Sequence, residues 1–190
     1  MSEAVAERAM TSADLFAMRP SKKVDRWLFR GELRESRVTK RNPNHSGAVM
    51  ALGGIVRNWA ITDPTRFGKV QGAEVYFRIR TDPDTNVGID VALSSPAQTA
   101  AITKKSSYID GPPMFAAEVL SPYDKQKEVD ETIEEYLACG VPVVWIVNPF
   151  YDTVTVYRPG AEPVLYNRSQ EISGDPELPG FRCRVAEIFE

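Results

Sequence analysis

The stretch that decides the fold runs from residue 114 to residue 147. It begins with MFAAEVL (114–120) and ends with VPVVWIV (141–147). Both pieces are short apolar runs, and the second is rich in β-branched residues, which is typical of a buried central strand. Between them, apolar residues recur at the spacing of one helix face: Val129, Ile133, Tyr136 and Leu137. A strand, an amphipathic helix and a second strand in this order indicate an α/β protein.

Outward from this stretch the chain alternates between further helices and strands. Cap-type residues and apolar spacing predict helices over 11–18 and from Asn42 to about residue 62. Strand patterns cover 27–38 with a turn at Gly31, and then 68–71, 73–80, 87–93 and 153–158. We expect a mixed sheet flanked by helices, in a single domain over 11–190 that follows a flexible tail over 1–10.

Composition describes an ordinary globular chain. The 190 residues are enough for one domain with a full core, and 43% are hydrophobic while 26% are charged. Apolar runs fall short of the roughly 20 residues of a membrane span, and the N-terminus lacks a signal-peptide pattern. The two cysteines, Cys139 and Cys183, match no metal-ligand spacing. We therefore expect a cytoplasmic protein with no membrane segment; a disulfide between the cysteines is the alternative.

The charge distribution leaves two interpretations of the first quarter of the chain. A net charge of −3 does not favour nucleic acid, because phosphate binding needs clustered cations. Residues 19–41 are nevertheless clearly basic, whereas residues 124–135 are acidic. The basic segment is compatible with a nucleic-acid face, and a solvated surface is the commoner alternative.

Two acids stand in apolar, strand-like runs: Asp90 in VGIDVAL (87–93) and Glu118 in MFAAEVL. A buried carboxylate costs several kcal/mol unless a cation, a metal or hydrogen bonds compensate it. Two such acids on neighbouring strands suggest a divalent-metal site, with the Val119 carbonyl beside the second acid as a further oxygen ligand. Structural alternatives are a turn cap or an Arg pair for Asp90, and a buried ion pair with Arg78 or Arg80 for Glu118.

Several motifs together resemble the Uma2 family, also called DUF820, with its PD-(D/E)xK restriction-endonuclease-like core. The matching stretches are TSADLF (11–16), GEL (31–33), His45 at a helix start, IDVA (89–92), AEVLSPYD (117–124), EYL (135–137), GV (140–141), VWIVNP (144–149) and LPGF (178–181). The resemblance implies a metal-dependent endonuclease that cleaves phosphodiester bonds in DNA with Mg²⁺ or Mn²⁺. It also implies that Asp90 and Glu118 are the metal ligands.

The chain departs from the family at the position of its lysine, fourteen residues after Glu118, where Thr132 stands. A lysine there would stabilise the charge that develops on the phosphate. Lys125 is the candidate substitute, because it precedes Thr132 by seven residues and so lies on nearly the same helix face. Lys127 points roughly 140° away. The alternative function is therefore a catalytically impaired nuclease-like module that binds nucleic acid or a protein partner.

Four further features have both a functional and a structural interpretation. Glu32 matches the family's Gly-Glu position and is expected to line the cleft, or to be a solvated strand acid. Tyr123 beside the site could stack on a base. His45, the only histidine, is expected as a capping or surface residue rather than a catalyst. Tyr136 and Trp145 are expected in the core, and an apolar edge over 154–157 would allow a homodimer.

Overall fold

The computed structural model describes residues 8–37 and 42–190. Within these ranges the helices are α1 (Ser12–Ala17), α2 (Pro43–Ala60), α3 (Pro96–Ala101), α4 (Gln126–Ala138) and a 3₁₀ helix (Val185–Ile188). None of the described helices is long and apolar enough to cross a membrane. Residues 1–7 of the predicted tail lie outside the described ranges, as do Val38, Lys40 and Arg41 of the predicted hairpin and basic segment. At the start of the first described range, the main-chain amide of Met10 donates to the Gly31 carbonyl at 2.9 Å.

The strands fall into one large sheet and a small two-stranded one. They are β1 (Val24–Phe29), β2 (Glu32–Arg37), β3 (Val70–Arg80), β4 (Thr85–Leu93), β5 (Ile109–Asp110), β6 (Phe115–Val119), β7 (Val144–Asn148), β8 (Thr153–Tyr157), β9 (Val164–Asn167), β10 (Glu171–Ser173) and β11 (Arg182–Arg184). The large sheet has the order β2-β1-β4-β6-β7-β8-β9, with β3 and β5 joined through β4. β6 and β7 run parallel, as do β3 and β5, and the other pairs are antiparallel. The expected mixed α/β sheet flanked by helices is confirmed.

Helices cover both faces of the large sheet and create two apolar clusters. On one face, Leu52 and Val56 of α2 pack with the buried Trp145 of β7. On the other, Ile133 and Tyr136 of α4 pack against inward residues of β4, β6 and β7. Trp145 and Tyr136 are thus core residues, as predicted. The strands that carry the two candidate acids, β4 and β6, lie between these layers.

Cap residues define the helix starts that the sequence predicted. Thr11 and Asp14 form a reciprocal capping box at α1, and the Asn42 side chain accepts from the amide of His45 at α2. One strand prediction was wrong: 68–71 and 73–80 belong largely to one strand, β3. Its register shifts between Gly72 and Val75, which is a β-bulge. The pattern is interrupted there while the strand continues.

Two further expectations are corrected by the packing. Residues 154–157 are not an exposed edge, because β8 pairs with β7 on one side and β9 on the other. Val154 and Val156 are buried, and β9 forms the edge on this side of the sheet. Cys139 and Cys183 are both free thiols, so the disulfide alternative does not hold.

Candidate metal centre

Adjacent antiparallel strands carry the two candidate acids. β4 and β6 pair with Val91 opposite Ala117, and Asp90 and Glu118 are the next residues on their strands beyond this pair. Both strands sit in the middle of the sheet and are apolar around the acids, which is why each acid stood out in the sequence. The fold therefore brings together the two residues that sequence reasoning selected.

Asp90 is buried, with 6% of its surface exposed. Its Oδ2 accepts a hydrogen bond from the main-chain amide of Val119 at 3.0 Å. Nε2 of His45, from the first turn of α2, lies 3.4 Å from the same oxygen. Within residues 8–37 and 42–190, Asp90 thus neither caps a turn nor pairs with an arginine. The expectation for His45 was also wrong: only 3% of this residue is exposed, because the first turn of α2 packs over β4.

Glu118 is held from the opposite face of the sheet. The hydroxyl of Tyr136 on α4 donates to Glu118 Oε1 at 2.5 Å. Burial and the nearby charge of Asp90 raise the pKa of Glu118 well above its usual range, and the bond from Tyr136 acts in the opposite direction. The structural alternative, an ion pair of Glu118 with Arg78 or Arg80, does not form, because these arginines bind Asp110 and Glu135.

The donor atoms at this position suit a hard cation. The contacts above engage Oδ2 of Asp90 and Oε1 of Glu118, and the main-chain amide of Asp90 also bonds to the Glu118 carboxylate. Within residues 8–37 and 42–190, no three His, Cys, Asp or Glu side chains are grouped as a closed metal cage. Mg²⁺ commonly binds through one or two carboxylates and keeps several waters. The pair therefore fits a cation of this class rather than a cage-bound metal.

The candidate substitute cation lies away from the acids. Lys125 is the residue that precedes α4, its side chain is 76% exposed, and its Nζ binds Glu128 Oε1 at 2.8 Å. Lys127 Nζ lies 3.8 Å from Glu131 Oε1. Thr132 is one helical turn before Tyr136, and its hydroxyl donates to the Glu128 carbonyl at 2.9 Å. Thr132 is thus on the helix face that reaches Glu118, whereas Lys125 is engaged at the surface.

The two remaining candidates are surface residues. Tyr123 is 70% exposed in the turn that links β6 to α4. Glu32 is exposed at the start of β2, opposite Phe29 of β1. Among the described contacts, neither residue touches Asp90 or Glu118.

The basic first quarter of the chain is partly neutralised. Arg26 binds Glu35, while Arg30 and Arg34 bind Glu135 and Glu131 of the acidic α4. The two interpretations of this segment were a nucleic-acid face and a solvated surface. The ion pairs support the second, since they engage part of the positive charge within the protein.

Sequence reasoning missed two contacts of the candidate centre, those of His45 and Tyr136. The apolar stripe on α4 placed Tyr136 in the core, but it gave no indication of what its hydroxyl would bind. His45 was noted at a helix start, a position that commonly carries capping residues. In both cases the partner acid comes from a strand distant in sequence, which periodicity does not encode.

Comparison with solved structures defines the class of fold. The chain resembles the crystal structure described as a putative nuclease belonging to DUF820 from Anabaena variabilis, with a TM-score of 0.74 and 16% sequence identity. The match covers 95% of this chain and 97% of the other. The protein therefore has the α/β fold of that nuclease-like structure.

Sequence comparison then gives the family. The profile of Uma2, described as "Putative restriction endonuclease", matches residues 13–186, so the chain belongs to the Uma2 family. No curated protein matches its sequence.

Proposed function

We propose that this protein is a divalent-metal-dependent endonuclease that hydrolyses phosphodiester bonds in DNA. The observation that carries the proposal is a pair of carboxylates on adjacent strands. Asp90 is buried and its Oδ2 is bound to the Val119 amide, while Glu118 is half-buried; both lie one residue beyond the Val91–Ala117 pair. The family description and the nuclease title of the structural neighbour support the reaction class.

In this proposal Asp90 and Glu118 hold Mg²⁺ or Mn²⁺, and the main-chain carbonyl of Val119 is a further oxygen ligand. The bound cation would supply Lewis-acid stabilisation of the phosphate charge and a more acidic water. The protein contributes the placement of the two acids. The Val119 amide holds Asp90, the Tyr136 hydroxyl holds Glu118, and the surrounding apolar residues limit the access of bulk water.

Physical chemistry gives a second argument for a cation here. Burial and mutual repulsion both disfavour two negative charges at this position. A divalent cation would relieve both costs at once, which makes the pair more stable with a metal than without one. A cytoplasmic location belongs to the same proposal, since both thiols are free, as is usual in a reducing compartment.

The direct test is cleavage of double- and single-stranded DNA in the presence of Mn²⁺ or Mg²⁺. We expect Asp90→Ala and Glu118→Ala each to lower the rate at least about 100-fold, because each removes a ligand from a site with few protein ligands. Glu162→Ala is the matched control. Glu162 is an exposed acid in the connection between β8 and β9. The variant should cleave DNA at the same rate as the unmodified protein.

If both alanine variants cleave as fast as the unmodified protein with Mn²⁺ present, the proposed centre is wrong. Circular dichroism melts would establish that the variants are folded.

A second function has a specific observation in its favour. Thr132, at the family's lysine position, carries no charge and binds the Glu128 carbonyl. Lys125 is held by Glu128 at the surface. The alternative is therefore a nuclease-like module with little or no cleavage activity that binds nucleic acid or a protein partner.

A further inference from the structure

Resting on the proposed function, we propose that Tyr136 is a positioning residue: its hydroxyl fixes the carboxylate of Glu118 in the orientation that binds the divalent cation. The sequence assigns Tyr136 only to the core.

The contact itself supports a role beyond packing. Tyr136 is 1% exposed, so its hydroxyl cannot rely on bulk water for a hydrogen-bond partner. It donates to Glu118 Oε1 at 2.5 Å, so a protein acceptor takes the place that water would have. The buried hydroxyl of Tyr136 needs a hydrogen-bond acceptor, and the carboxylate of Glu118 needs a donor. The bond between them therefore meets both requirements.

The helix turn that carries Tyr136 is itself fixed. The preceding residue, Glu135, is fully buried and accepts hydrogen bonds from Arg30, Arg80 and Thr85. These three donors come from the β1–β2 turn, the end of β3 and the start of β4. Because this turn of α4 is tied to the sheet at adjacent residues, the Tyr136 hydroxyl has a defined position relative to β6.

A held carboxylate binds a metal better than a mobile one. The Glu118 side chain has three rotatable bonds, and ordering it when a metal binds carries an entropic cost. Because Tyr136 fixes Oε1, the entropic cost of ordering the Glu118 side chain arises during folding rather than during metal binding. Oε2 then has one orientation in the folded protein. Hydrogen-bond partners of metal ligands typically change metal affinity 10- to 100-fold when they are removed.

The test is a titration of the Tyr136→Phe variant with Mn²⁺. Electron paramagnetic resonance measures the dissociation constant for Mn²⁺, and cleavage rates are measured over a range of Mn²⁺ concentrations. We expect the dissociation constant for Mn²⁺ to rise about 10-fold or more. The rate at saturating Mn²⁺ should fall much less than the rate at low Mn²⁺. Tyr157→Phe is the matched control. Tyr157 packs against the same apolar cluster, contacts neither acid among the described contacts, and should leave Mn²⁺ affinity unchanged.

Unchanged Mn²⁺ affinity in folded Tyr136→Phe would overturn the inference. Loss of binding in Asp90→Ala and Glu118→Ala, with normal binding in Tyr136→Phe, would reject the positioning role alone. Normal Mn²⁺ binding in the two acid variants would instead reject the proposed function. If Tyr136→Phe is unfolded at 25 °C, the titration is made at 5 °C in trimethylamine N-oxide, which favours the compact state.

Discussion

Each carboxylate of the candidate centre is held by a side chain from a different helix. His45 of α2 lies against Asp90, and Tyr136 of α4 binds Glu118, so the two acids are approached from opposite faces of the sheet. The separation between the acids then depends on how both helices pack on β4 and β6. A change in either apolar layer is expected to disturb the centre even when both acids are intact.

The residue that distinguishes the two candidate functions is Thr132. Thr132→Lys places an ammonium group one helical turn from Tyr136, on the face of α4 that reaches Glu118. We expect DNA cleavage with Mn²⁺ to rise about 10-fold or more, because a cation beside the phosphate stabilises the developing charge. Single-turnover cleavage measures the effect, and Gln126→Lys, at an exposed position of the same helix, controls for one added positive charge.

If the unmodified protein cleaves DNA robustly and Thr132→Lys leaves the rate unchanged, the silent-module alternative is rejected. If neither protein cleaves while both bind Mn²⁺, the alternative is favoured over the endonuclease.

At the residue scale, the sequence identified the acids but not their partners. Asp90 and Glu118 were recognisable because a carboxylate in an apolar strand is costly and therefore conspicuous. Their partners depend on tertiary packing. Along the chain, β3 separates His45 from Asp90, and the turn before α4 and most of that helix separate Glu118 from Tyr136. The alternative pairing of Glu118 with Arg78 or Arg80 does not occur, since these arginines bind Asp110 and Glu135.

At the scale of elements, Glu135 is the main polar link between α4 and the sheet. Three donors bind its buried carboxylate and lower its pKa to about 2, although burial alone would raise it. Because the folded-state pKa lies below the unfolded value, this group stabilises the protein fully above pH 4.5. The stabilisation declines as the pH falls from about 4.5 towards 2.

We expect Glu135→Gln to lower the free energy of unfolding by about 2 kcal/mol at pH 7, since it weakens charge-assisted hydrogen bonds to two arginines. The difference from the unmodified protein should shrink as the pH falls below 4.5. Urea unfolding between pH 7 and pH 3 measures it. Glu134→Gln, at the adjacent exposed position, is the control. An equal difference at pH 7 and pH 3 would contradict the role given to Glu135.

Some helices and strands could be predicted from their own sequence, and others could not. α1 and α2 follow from Thr11 and Asn42, whose side chains cap the first helical amides. β3 was divided in two because its bulge breaks the alternation of side chains, although its pairing with β4 continues on both sides. β5 has only two residues, too few for any periodic pattern, and exists because it pairs with β3.

At the scale of the whole molecule, the mixed α/β sheet was predictable and its edges were not. A continuous apolar run indicates a buried strand but not which neighbours it has. On the side of β8 the edge strand is β9, with Val164 and Leu165 exposed, while β2 ends the sheet on the other side. Assembly into a homodimer stays a prediction, and β9 is the edge at which strand pairing between two copies would occur.

The claim on which the whole account depends is that Asp90 and Glu118 together bind a divalent cation. A crystal structure of the protein soaked with Mn²⁺, with anomalous diffraction, tests it most directly. We predict one strong anomalous peak within about 2.0–2.6 Å of a carboxylate oxygen from each acid. Saturating Mn²⁺ with no peak between the two acids, or a peak bound only by other residues, would contradict the account.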